Sequence, residues 1–197
     1  MRLTEQAHTR TVRESKQPQS QNYQATSKTT TTTNTLAIFR INKARLIESG
    51  AYFKYMLSKP WQEAIKPEIT LEGDTALSIE IWFRLFHENL SDLPLDAVSI
   101  RELWHAVNAC DKYEFDRKAL TGWFGGWFQQ NREDIRGDNE LMRKLLFPCY
   151  AFDYAPGFQL LSKSLVYGYP FHITEINPTE VSSMHLPPRV IRKPSAS

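Results

Sequence analysis

Cysteine is scarce: Cys110 and Cys149 are the only two in 197 residues. Two thiols are too few for a disulfide scaffold or a thiolate zinc site, so both read as reduced and buried. A surplus of either charge is also missing, because 24 basic side chains face 22 acidic ones, a net charge of +2. A protein dedicated to nucleic acid normally shows a clear basic excess to meet the phosphates, so nucleic acid is not an expected partner. No apolar run reaches the 18 or so residues of a membrane span, and MRLTEQAHTR lacks the apolar centre of a secretory signal. The expectation is a chain without a membrane partner, intracellular, in the nucleus or the cytoplasm. Walker loops, dinucleotide-binding glycine motifs, HExxH and serine elbows are all lacking, and Gly122-Trp-Phe-Gly-Gly126 sits in an aromatic helical pattern that cradles no phosphate. The sequence therefore reads as non-catalytic, with no cofactor and no metal. Repeats of 20 to 50 residues are absent too, which excludes a solenoid.

What is present is apolar mass, 41% of residues with 12% aromatic, enough for one core with appendages. Residues 1–35 hold ten Thr, three Ser and five Gln, with five basic and two acidic side chains. Such a segment buries too little to offset the entropy of ordering it, so it is expected to be a disordered arm. All five Trp lie between 36 and 168. From 171 to 197 the chain is proline-rich and expected to be extended and partly disordered. Residues 36–131 read as the main domain and 132–170 as a C-terminal helical extension.

The apolar segment Leu36 to Ile41 suits a strand. Asn42 offers an N-cap for a helix with Leu46 and Ile47 on its buried side; Gly50 marks a joint to a second helix, buried through Tyr52, Phe53, Met56 and Leu57, and Pro60 ends it. Glu68-Ile-Thr-Leu-Glu72 alternates as a strand does. Asp74 or Thr75 caps the next helix, and Ser99 with Glu102 has capping-box spacing for another, whose apolar face is Leu103, Trp104, Val107, Cys110 and Tyr113. Leu120, Trp123, Phe124, Trp127 and Phe128 fall at helical spacing, with Gly125 and Gly126 on the far side. Two further short helices follow around Leu141 to Leu146 and Phe158 to Leu165, separated by the FPCYAFDYAPG connection. The fold class is α+β, mostly helical.

The chemically suggestive residues have plain readings. His87 and His105 have no His or Cys at i+3 or i+4, so they read as surface or core histidines. Asp111, Glu114 and Asp116 alternate with Lys112, Arg117 and Lys118, the pattern of a solvated helix end. The aromatic stripe lacks flanking Arg and reads as core rather than a base-stacking platform.

Phe39-Arg-Ile-Asn-Lys43 followed by Leu46, Ser49, Tyr52-Phe53-Lys54 and Met56-Leu57 resembles the helix pair of the BTB/POZ fold. The likeness continues through Ile69 and Leu71, Trp82 to His87, Leu103-Trp104 and Ala109 to Tyr113. Leu146-Phe-Pro-Cys-Tyr-Ala-Phe-Asp153, Gly157-Phe158 and Leu186-Pro187 are similar to fungal proteins that carry a lone BTB domain. The resemblance implies a BTB/POZ-like helical cluster flanked by a small sheet. The family's first strand is expected just upstream of Leu36, where a Thr tract stands, so that sheet is expected to be incomplete and the chain clipped or divergent at both ends. It implies a protein-protein interaction module, a homodimer or an adaptor, in which Leu46, Ile47, Phe53 and Met56 pack on a like surface and Lys43 looks into a charged pocket at the dimer groove. A cullin scaffold of a ubiquitin ligase is the other partner it implies. An alternative is a nuclear regulator that dimerises through this unit and contacts DNA through the basic Thr-rich arm, or has that arm phosphorylated.

Overall fold

A computed structural model describes residues 2–7, 34–58, 65–170, 172–181 and 183–188, with residues 2–7 and 34–36 described by backbone alone. The fold is α+β and mostly helical. Its order is β1 (Arg2–Ala7), β2 (Asn34–Arg40), α1 (Lys43–Ser49), α2 (Ala51–Ser58), β3 (Glu68–Glu72), α3 (Ala76–Phe86), α4 (Ile100–Tyr113), α5 (Thr121–Gln130), α6 (Arg132–Arg136), α7 (Asn139–Ala151) and α8 (Ala155–Gly168). Short 3₁₀ turns at Leu90–Asp92, Leu95–Ala97 and Arg117–Leu120 join the helices.

The sheet corrects one expectation. Arg2–Ala7 is not part of an unfolded arm but the central strand of three, in the order β2-β1-β3. It runs antiparallel to β2, Leu3 opposite Phe39, and parallel to β3, Leu3 opposite Ile69. The sheet therefore has a strand ahead of β2. It lies at the start of the chain, and the Thr tract belongs to residues 8–33, which separate it from β2 and lie outside the described residues. So does Pro60, expected to end α2.

The helix boundaries follow from side-chain caps, of which Asn42, Thr75 and Ser99 are legible in the sequence. Asn42 accepts from the Ala44 N–H, Thr75 from Ser78, Ser99 from Glu102 and Asp138 from Glu140 and Leu141. The Glu102 carboxylate accepts from the Thr75 hydroxyl, so it ties the start of α4 to the start of α3. Two boundaries differ from expectation. Residues 132–136, ahead of the first helix expected in the extension, form the single turn α6. α7 runs on through Pro148 and Cys149 to Ala151, so that most of the presumed connection is helix.

One apolar cluster extends from Ile41 to Leu186, and the extension is part of it rather than a separate unit. Trp104 of α4 stacks near Phe147 of α7, 4.7 Å between centroids, and its Nε1–H donates to the Lys144 carbonyl. Trp82 and Trp127 also bury their rings with the N–H satisfied, by the carbonyls of Ala106 and Val98. Trp123 is only half-buried, whereas Phe124, Trp127 and Phe128 are inside. Gly125 is not on the far side: it is buried, and a Cβ there would lie 3.0 Å from the Tyr154 ring.

The tail beyond α8 is extended, as expected, yet 172–181 and 183–188 are held to the body. Ile173, Met184 and Leu186 are buried. Arg143 of α7 donates to the Thr174 carbonyl and hydroxyl, and it lies over the Tyr169 ring. Leu186 N–H donates to the Glu175 carboxylate. The structured part of the tail is therefore a strap.

Gly50 is where α2 meets α4: it bridges to Phe115, and a Cβ at this position would sit 2.8 Å from the Tyr113 carbonyl and 2.9 Å from that of Glu114. Both neighbours are backbone and cannot swing away. Gly50→Ala is expected to destabilise the fold by about 1–3 kcal/mol in urea denaturation, and an unchanged midpoint would contradict this close approach.

Candidate functional site

α1 and α2 form a hairpin against α3 and α4. Leu46, Phe53 and Leu57 point inward, Leu46 and Phe53 with 0% exposure. Phe53 stacks on Tyr113 and on Phe115, with centroids 5.2 and 5.9 Å apart. Spacing on α2 explains what is left outside. Phe53 and Leu57 are four apart and share one face, which turns Ala51, Tyr52, Tyr55 and Met56 outward on the other. Tyr52 is 41% and Tyr55 55% exposed.

That outward face, with Ile69 and Thr70 of β3 and Glu114 at the end of α4, lines a groove of about 720 Å³. Tyr52 is fixed in it by edge contacts to Phe53 and Tyr113, each at 5.2 Å. Glu114 is the C-cap of α4 in the left-handed conformation, φ 55°, ψ 44°, with its N–H donating to the Cys110 carbonyl. A side chain there costs roughly 1–2 kcal/mol relative to glycine. Its carboxylate has no hydrogen bond or ion pair among the described residues.

Beneath the groove lies a polar cluster. The Asp74 carboxylate, 1% exposed, takes the Lys112 ammonium at 2.7 Å and the Tyr113 hydroxyl at 2.5 Å through one oxygen. Lys112 also donates to the Glu72 carbonyl at the end of β3. The other Asp74 oxygen and Nδ1 of His105 are buried without a partner. Burial is the largest influence on His105 and lowers its pKa; Arg101 lowers it too, against Glu102 and Asp74, which raise it.

The remaining reactive groups are tied into the fold. Burial pushes the Cys110 thiol up to about 12, and its Sγ–H donates to the Phe115 carbonyl. Burial also pushes the Cys149 thiol up. Neither has the exposed, lowered-pKa surroundings of a nucleophile. His87 accepts from the Asn42 N–H at Nε2 and is 2.8 Å from the Phe83 carbonyl at Nδ1, joining α3 to the start of α1. Among the described residues no three His, Cys, Asp or Glu side chains converge as metal ligands, and no helix is long and apolar enough to cross a membrane.

The expected interface residues are thus scattered. Lys43 is exposed at the start of α1, Ile47 and Met56 are half-buried, and Leu46 and Phe53 are core residues that no partner can reach. Only Met56 lines the groove. Helical spacing identifies an apolar pair such as Leu46 and Phe53 but is silent on whether its cover comes from another chain or from this one. Sequence reasoning also missed Tyr55, whose two-residue offset from Phe53 was the available signal, and Glu114, which it grouped with a solvated charge run. Of that run, Asp111 pairs with Arg117 and Lys118 with Asp153.

The chain matches no protein-family model, no curated protein sequence and no solved structure.

Two outcomes follow from the polar cluster. Asp74→Ala removes the buried carboxylate that Lys112 and the Tyr113 hydroxyl share and is expected to lose about 3 kcal/mol by chemical denaturation, more than Asp111→Ala at the exposed Arg117 pair. His105 has a folded pKa below its ordinary 6.5, so the unfolded chain binds its proton first. Its contribution to stability is complete above pH 6.5 and lost as pH falls from there through the folded pKa. His105→Gln should flatten that acid limb of the stability profile, and an unaltered limb would assign it to other groups.

Proposed function

We propose that the chain is a non-catalytic protein-interaction module of the BTB/POZ type, an adaptor that holds a partner protein in the groove between α2 and β3. The observation that carries the reading is the groove itself: two exposed tyrosines, a methionine and an isoleucine side by side, in a chain whose thiols are withdrawn from reactivity by burial. Tyr and Met are enriched where proteins meet: Tyr supplies large contact area at small entropic cost, and Met adapts its flexible, polarisable side chain to the partner. The helical cluster beside a small sheet is the feature of the fold that supports the BTB/POZ part of the reading.

The groove replaces Leu46 and Phe53 as the docking surface, and it suits a partner segment laid between a helix and a sheet edge. A cullin scaffold and a second copy of the chain are the partner classes the resemblance brings. The DNA-contacting arm of the alternative falls on residues 8–33, outside the described residues, and no observation favours it.

A photoreactive benzoyl-phenylalanine placed at Tyr55 in the full chain is expected to cross-link a defined partner protein in cells, while the same group at exposed Lys163 on α8 gives none. Equal capture at both positions would remove the reading.

A further inference from the structure

We infer that the α2–β3 groove recognises a cationic side chain: its occupant is a partner segment that presents a lysine or arginine beside an apolar anchor. The inference rests on the proposed docking role and specifies the chemistry it would use. Three observations converge. Glu114 brings the only carboxylate among the described residues that line an otherwise largely apolar groove. That carboxylate is unpaired among the described residues, although nearby Asp74, Asp111 and Asp153 each have a cation. The backbone that presents it is held at φ 55° by the Cys110 carbonyl and the Gly50–Phe115 bridge, in a region a glutamate adopts only under constraint.

The surroundings match the head and the stem of a basic residue separately. The Tyr52 and Tyr55 rings line the groove, and an aromatic face attracts an ammonium or guanidinium through its quadrupole. Glu114 supplies the opposite charge next to them, where the apolar wall reduces screening by water. Met56 and Ile69 suit the aliphatic stem and the neighbouring anchor. Asp74 does not compete for the cation, since its carboxylate is buried and already holds Lys112 and the Tyr113 hydroxyl.

The test is selection of a random heptapeptide display library on the immobilised full chain, repeated with Glu114→Lys and with Tyr52→Ala/Tyr55→Ala, all three checked for equal helicity by circular dichroism. The wild-type chain is expected to enrich peptides with Lys or Arg next to Leu, Ile or an aromatic residue. Glu114→Lys should reverse the preference to Asp or Glu, and the tyrosine double variant should enrich none. For one selected peptide, Glu114→Gln should weaken binding about five-fold and remove most of its salt dependence. Enriched peptides without a basic preference, or indifferent to Glu114→Lys, would overturn the cation inference and leave the docking reading standing. No enrichment on any of the three proteins would overturn both.

Discussion

Tyr113 is the point on which the fold around the groove depends. Its ring stacks on Phe53 and meets Tyr52 and Phe115, and its hydroxyl reaches the buried carboxylate of Asp74, which also holds Lys112. One side chain thus joins α2, the end of α4 and the turn between β3 and α3. A buried carboxylate is costly unless its charge is matched, and here the match is assembled from residues adjacent in the sequence, Lys112 and Tyr113. The next residue, Glu114, turns out of the helix because Tyr113 and Phe115 both enter the core, their rings 5.6 Å apart and both against Phe53. The left-handed backbone at the groove is therefore a product of packing beneath it.

Most of the helical body was legible because its signals are local. Caps at Asn42, Thr75 and Ser99, the alternation at β3 and the spacing of Leu103 to Tyr113 each identify an element without knowledge of the rest. The parts that were not legible are those decided by distant partners. The strand Arg2–Ala7 lies within a composition that favours disorder, and it is ordered through pairing on both edges with β2 and β3. The tail lacks periodicity because an extended strap follows the surface it covers, here through Arg143 and the buried Ile173, Met184 and Leu186. Pro148 continues its helix where a break was expected, with Phe152 N–H donating to its carbonyl.

The site was less legible than the fold, for a related reason. Burial of Leu46 and Phe53 and exposure of Tyr52 and Tyr55 look alike to a hydropathy pattern; what separates them is which face of the α1–α2 hairpin meets α4. Glu114 sits among five charges with ordinary roles in pairs and caps. No composition or spacing marks the one member whose backbone directs it elsewhere.

The parallel pairing of β1 with β3 has a consequence for how the molecule is made. Arg2 lies opposite Glu68 and Gln6 opposite Glu72, so the middle ribbon of the sheet leaves the ribosome before either neighbour and waits for more than sixty further residues before the second of them is synthesised. The hairpin and helices between them can condense from nearby contacts, but closing this seam draws together the most remote segments of the amino-terminal half. Contacts of such long sequence separation slow a search, since the entropy of closing the intervening chain is lost before the pairing is gained. During that interval the amino terminus is an unsatisfied edge, open to capture by a chaperone or by another nascent chain.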